Sequence, residues 1–242
     1  RLPKPIRPAR QEIKPMSISR DLIIKAVESA VTDDSSVFAL WLEGSDANGT
    51  VDQYSDIDFW LDVKDGDESR ILDEIEKALS KLVELDFVYQ TIKLPIWTRF
   101  LHLKGTPDSL LLDFCVQSHS RNFPFVVGEL EQPKIIFDRG GIKFRERSED
   151  EFRKELKDRI YHLKGVFAQQ ARVTSKIQRG DFLEALMDYS KWTLEPLVEL
   201  LRIKYCPQKR EFRFKHASRD LPGEIVEQLE YLARVQTVED IE

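Results

Sequence analysis

The chain has 242 residues, 41% hydrophobic and 33% charged, which excludes disordered and fibrous classes and leaves room for two modest lobes, each burying its own core. No apolar run approaches the roughly 20 residues that span a bilayer, and Arg1, Lys4, Arg7 and Arg10 sit among prolines where a signal peptide would be apolar, so no membrane association and a cytoplasmic location are expected. The net charge of −6 falls wholly in residues 1–144, with 18 Lys/Arg against 24 Asp/Glu, while residues 145–242 carry 19 of each; long nucleic acid, which needs a basic footprint, is disfavoured against a small partner.

Residues 1–16, with Pro3, Pro5, Pro8 and Pro15, read as an extended arm. From Ser19, the spacing of Leu22, Ile23, Ala26, Val27 and Ala30 predicts an amphipathic helix that stops near Asp33. Val37 to Leu42 is a buried-strand run that enters a tight turn at Gly44-Ser45. Ile57, Phe59, Leu61 and Val63 then alternate with Asp58, Trp60 and Asp62, as a strand with one apolar face does. Residues 67–85 predict a helix, and short strands are expected at Phe87–Thr91, Phe100–Lys104 and Leu110–Gln117.

The pattern changes near residues 138–147. Ser148 with Glu151, and Asp181 with Glu184, read as capping boxes that open two helices, and Ile225, Val226, Leu229 and Leu232 mark a third. Pro196 should kink the second of these. The expected fold is therefore α+β (α/β-like), with a small mixed sheet over residues 17–144 followed by an all-α helical bundle over 145–242. Cys115 and Cys206 are too few for a disulfide framework and read as small buried hydrophobes.

The chemistry concentrates at Gly44-Ser45, ten intervening residues, and Asp56-Ile57-Asp58. Residues i and i+2 of a strand point the same way, so Asp56 and Asp58 share one face while Ile57 and Phe59 face the core. Two such carboxylates repel unless a cation lies between them, and hard oxygen ligands suit magnesium, which also binds phosphates. Glycine lets a phosphate approach the backbone and serine adds a hydroxyl donor. Asp113 interrupts the apolar run Leu110–Val116, so it is either a third ligand or a strand-end residue paired with an arginine. Asp62 reads as a solvated strand-end residue. Phosphate-binding loop, dinucleotide fingerprint, zinc-protease and nucleophile-elbow motifs are all missing from the sequence.

This spacing resembles the signature of the DNA polymerase beta-like nucleotidyltransferases, a superfamily that includes poly(A) polymerases, aminoglycoside enzymes of the kanamycin and streptomycin type, and minimal nucleotidyltransferase antitoxins. The resemblance is firm over residues 37–63 and is closest to the aminoglycoside enzymes. It implies two magnesium ions, a nucleoside triphosphate (ATP), and attack of a hydroxyl of a small acceptor, possible aminoglycoside-like compounds included, on the α-phosphorus. By the same resemblance Asp56, Asp58 and Asp113 bind metal, and Gly44 and Ser45 hold phosphate.

Lys191 and Glu195, four apart on one helix face, are the candidates for the triphosphate cation and the general base, against an exposed ion pair; Glu184 is a further candidate base. The run from Arg202 to Arg219 reads as a solvated basic loop. Two alternatives stand beside the enzyme: an antitoxin or regulatory protein that binds or modifies a protein partner, and a nucleotide-binding protein that has lost catalysis.

Overall fold

The computed structural model describes residues 18–121, 124–127 and 132–241. The proline-rich arm lies outside them. The chain divides into two compact units, Arg1–Arg145 and Glu146–Glu242.

In the first unit, α1 (Arg20–Val31) begins at Ser19, whose hydroxyl accepts from the Leu22 amide. It leads through β1 (Val37–Leu42), the short α2 (Gly44–Asn48), β2 (Ile57–Val63), α3 (Glu68–Ser80), β3 (Leu85–Lys93), β4 (Ile96–Leu103) and β5 (Leu111–Ser118). The two-residue strands β6 (Phe125–Val126) and β8 (Phe144–Arg145) pair with each other on either side of β7 (Lys134–Asp138). The main sheet has six strands in the order β3-β4-β5-β2-β1-β7. It is mixed: β2 and β5 run parallel, and the other pairings are antiparallel.

One sheet face carries Leu40, Leu42, Ile57, Phe59, Leu61, Leu101, Leu112 and Phe114, and α1 and α3 supply Ile23, Val27, Ile71, Ile75 and Leu79 to the same core. At about 1.5–3 kcal/mol per large apolar side chain, this layer supplies most of the unit's cohesion. β3 and β4 are longer than the expected Phe87–Thr91 and Phe100–Lys104, whereas β5 is only shifted by one residue from the expected Leu110–Gln117. β3 in particular is almost wholly exposed along its length, so its pairing with β4, and not burial, makes it a strand. The turn expected at Gly44-Ser45 is instead the first turn of α2, and β7 carried no apolar signal strong enough to single it out.

Asp62 departs from the expectation of a solvated strand end. Its side chain is 1% exposed and accepts from Gln117 Nε2 at 2.6 Å and pairs with His119 Nδ1 at 2.5 Å. Gly141 passes so close that a Cβ there would lie 2.9 Å from the Asp62 Cβ, which seals the carboxylate from above. Period-two alternation assigns the face correctly but is blind to a loop that returns from 80 residues later to cover it.

The second unit is helical: α4 (Glu149–Phe167), α5 (Gln170–Arg179), α6 (Phe182–Tyr189), a π-helical turn (Ser190–Leu194), α7 (Glu195–Tyr205), α8 (Ala217–Asp220) and α9 (Gly223–Leu232). Ser148 caps α4 through the Glu151 amide. Asp181 precedes α6 but its side chain makes no capping bond, so the second expected capping box does not form. Pro196 falls in the first turn of α7, directly after the π-turn; lacking an N–H, it cannot continue the ladder of α6. Val173, Tyr189 and Leu194 form a small core, and Arg159 on α4 pairs with the buried Glu199 on α7.

The run expected to be a solvated basic loop is anchored by Arg202, which is fully buried. Its guanidinium donates to the carbonyls of Arg213 at 2.7 Å and Lys215 at 2.5 Å and pairs with Asp220 at 3.0 Å. Cys115 and Cys206 are both free and only partly buried. No helix of the described residues is long and apolar enough to cross a membrane.

If Asp62 is the buried centre of a network, truncating its partner should cost stability. His119→Ala is expected to lose about 1–2 kcal/mol in denaturant unfolding, the scale of a half-exposed charged hydrogen bond. An unchanged midpoint would return Asp62 to a role without structural weight.

Candidate active site

Two of the three acidic residues are placed by two parallel strands. Asp58 is opposite Asp113 in the β2–β5 register, with Phe59 opposite Phe114 one step on. The phenylalanine rings stack at 4.7 Å on the core side, so the carboxylates stand side by side on the other face. Asp56 lies two residues before Asp58, outside the strand and exposed. Its charge still reaches Asp113.

Asp113 is half-buried, and its carboxyl is pushed from the ordinary 3.8 up to about 6, first by desolvation, then by the charges of Asp58 and Asp56. Its only hydrogen-bond partner among the described residues is the Cys115 thiol, at 3.8 Å. The alternative of an arginine partner for Asp113 is therefore not the arrangement found. The thiol is itself raised to about 12 by burial and by Asp113, so it stays protonated beside the carboxylate.

Gly44 closes the site from the β1 side. It adopts φ +59°, and a Cβ built there would lie 2.1 Å from Asp58 Oδ2, so no other residue fits without displacing the carboxylate. The Glu43 amide donates to the Asp58 carbonyl at 3.0 Å, tying the start of α2 to β2. Next to Gly44, Ser45 Oγ is buried and has no hydrogen-bond partner among the described residues. A buried hydroxyl left in this state costs about 1–3 kcal/mol, and orphaned groups of this kind point to an absent ligand atom.

Arg20 has no motif to announce it, yet it holds these pieces together. Its guanidinium pairs with both oxygens of Asp46 on α2 and donates to the carbonyls of Ser55, at 3.0 Å, and Asp56. Asp46 is buried, so this is a shielded fork-to-carboxylate contact, the geometry that suits arginine and not lysine. Arg20 and Asp46 are 26 residues apart, a separation that no local pattern can reveal.

The donor chemistry of Asp56, Asp58 and Asp113 suits a hard divalent cation that completes its shell with water and phosphate oxygens. Among the described residues, however, no group of three or more His, Cys, Asp or Glu is gathered closely enough to hold a metal ion unaided. The trio is an electrostatic cluster, not a closed coordination sphere.

Lys191 and Glu195 lie in the helical unit. Lys191, in the π-turn, places its ammonium 4.4 Å from the Trp192 ring centroid, and Glu195, at the start of α7, pairs with Arg213 at 3.6 Å. Glu195 thus has a partner other than Lys191. Glu184 sits in the first turn of α6.

The raised Asp113 carboxyl has a consequence for stability. The folded state binds this proton more tightly than the unfolded chain, so the group favours folding at low pH and loses that contribution as pH rises from about 4 to about 6. Asp113→Asn removes the charge. In chelator, the variant should exceed the wild type by about 1–2 kcal/mol at pH 7.5, allowing for partial exposure, with the difference vanishing near pH 4. Urea unfolding at the two pH values measures it, and a difference that does not change with pH would contradict the electrostatic account.

Residues 23–104, which include Gly44, Ser45, Asp56 and Asp58 but not Asp113, match the family model of a nucleotidyltransferase domain. No curated protein matches the chain. Among solved structures, the crystal structure of JHP933 from Helicobacter pylori aligns over 89% of this chain and 98% of its own at 11% identity, with a TM-score of 0.28, too low to bear on the fold. Residues 23–104 of the first unit, which hold Gly44 and Asp58, are therefore similar to a nucleotidyltransferase domain.

Proposed function

We propose that the protein transfers a nucleoside monophosphate, AMP from ATP, to a hydroxyl of a small molecule. The observation that carries this reading is the approach of Gly44 to Asp58, whose partner in register is Asp113, with an orphaned hydroxyl on the adjoining residue Ser45: a place without a Cβ against a concentration of negative charge, and a free donor next along the chain. The match to nucleotidyltransferase domains over residues 23–104 supports the reaction class.

In this reading Asp56, Asp58 and Asp113 would hold magnesium, which when bound neutralises triphosphate charge and acts as a Lewis acid. Ser45 Oγ donates to a phosphate oxygen, and Gly44 leaves the backbone bare for it. The new bond joins the acceptor oxygen to the α-phosphorus, the bond to the bridging oxygen of pyrophosphate breaks, and the acceptor hydroxyl gives up its proton. Arg20 keeps α2 and the Asp56 segment in fixed relation during these events, which is a positioning role.

The resemblance calls for a triphosphate cation and a general base, and Lys191 and Glu195 are the candidates for them. A bundle arrangement of the second unit belongs to the same reading, supported by packing of α5 on α6 and of α4 on α7. An aminoglycoside-like acceptor rests on the resemblance alone, although an acidic first unit agrees with a cationic acceptor.

The test is incubation with labelled ATP, magnesium and a panel of hydroxylated compounds, following pyrophosphate release and a mass gain of one nucleotide. Asp58→Asn should abolish transfer while the circular dichroism spectrum and apo melting temperature hold or rise, since one of the mutually repelling charges is gone. Isolation of a stable complex with another protein, without turnover on any compound, would favour the regulatory reading.

A second series addresses the helical unit. Lys191→Ala is expected to lower transfer about 10²-fold or more, and Glu195→Gln about 10²–10⁴-fold with nucleotide affinity little changed. Near-normal turnover in both would remove them from the mechanism and move Glu184 forward as the candidate base.

A further inference from the structure

The sheet face that bears the carboxylates continues past them. In register, Asp58 opposes Asp113 on β5, Asp113 opposes Phe100 on β4, and Phe100 opposes Tyr89 on β3. These four side chains form one row across four strands. With neighbouring strands about 4.8 Å apart, Phe100 stands about 5 Å and Tyr89 about 10 Å from Asp113 along it.

The two rings stack, with centroids 6.2 Å apart and planes inclined by 26°. Tyr89 is 54% exposed and its same-face neighbour Phe87 is 48% exposed, on a strand that forms the edge of the sheet. The other aromatic cluster on this face is treated differently. Trp41 and Trp60 stack at 5.9 Å and are covered, Trp41 by the edge of Phe125 and Trp60 by the Arg121 guanidinium at 5.6 Å. Exposed aromatic surface continuous with a polar site is the usual mark of a ligand surface.

The order of strands decides which ligand. Gly44 and Ser45 follow β1, on one side of β2, whereas Phe100 and Tyr89 lie on the opposite side, beyond β5. Phosphate and aromatic shelf therefore flank the carboxylates from opposite directions. We propose that Tyr89 and Phe100 form a stacking shelf for the acceptor, and that the acceptor is a hydroxylated molecule with a flat ring face about 5–10 Å from the reacting oxygen. This rests on the nucleotidyl-transfer reading and narrows its substrate class.

The test uses binding, so that it does not depend on turnover. With the full chain, saturation-transfer NMR is run on 2-phenylethanol and, as a control without a ring, 1,2-propanediol, each with and without a non-hydrolysable ATP analogue and magnesium. We expect 2-phenylethanol to bind and the diol not to, with the signal retained when the ATP analogue is bound. Tyr89→Ala should weaken 2-phenylethanol about three- to tenfold, the range of one aromatic stacking contact, while Tyr89→Phe restores it and ATP-analogue affinity is unchanged in both. Phe100→Leu, which keeps an apolar side chain on the half-buried position, should weaken it likewise.

Equal binding of the ring compound by wild type and Tyr89→Ala would overturn the proposal. So would displacement of 2-phenylethanol by the ATP analogue together with loss of nucleotide affinity in Tyr89→Ala, which would assign the shelf to the nucleobase. Failure of the ATP analogue to bind the wild type at all is a separate result, and it strikes the nucleotidyl-transfer reading instead.

Discussion

The first unit depends on the parallel register of β2 and β5. That register sets Asp58 beside Asp113 on one face and Phe59 beside Phe114 on the other. Two like charges about 5 Å apart at an effective dielectric of about 20 repel by about 3 kcal/mol. Burying two phenylalanines returns about 3–6 kcal/mol and their stacking about 1 more, so the hydrophobic side prevails and fixes the strands in an arrangement the charges alone would reject. The raised proton affinity of Asp113 reflects its burial on this sheet first, and then the charges of Asp58 and Asp56.

Around that pair several contacts hold the segments of the unit in place. Gly44 takes a left-handed conformation within reach of Asp58, and the amide of Glu43 fixes the distance between them. Arg20 joins three chain segments in one contact set: its own helix, α2 through Asp46, and the approach to β2 through the carbonyls of Ser55 and Asp56. Together they keep an acidic cluster and an unsatisfied hydroxyl from relaxing apart.

What could be read beforehand was what local sequence encodes. Alternation along Ile57–Val63 assigns Asp58 to the face away from the core, the Gly-Ser spacing picks out the glycine that packs against it, and Ser148 announces the start of α4. What could not be read depends on distant partners. Asp62 seemed solvated because nothing in β2 shows Gly141 and His119 arriving over it. Arg20 was silent because Asp46 is 26 residues away, and Arg202 was counted among surface charges because its partners are mostly backbone carbonyls, which any sequence supplies. The row from Asp113 to Tyr89 needs strand order and register, neither of which periodicity contains.

The buried Arg202 sets how the end of the helical unit comes apart. Its guanidinium holds carbonyls 11 and 13 residues further along, plus the carboxylate of Asp220, while Lys209 grips that same carboxylate at 2.5 Å. Arg213 and His216, both with positive φ, are kept in that conformation by a chain that cannot let go one contact at a time. Releasing either carbonyl would leave a charged group buried with an empty donor, so the cheaper route is to open the whole segment at once. Residues 202–220 should therefore exchange their amide protons as one cooperative block, with the α7 terminus and the segment after it sharing a single opening free energy.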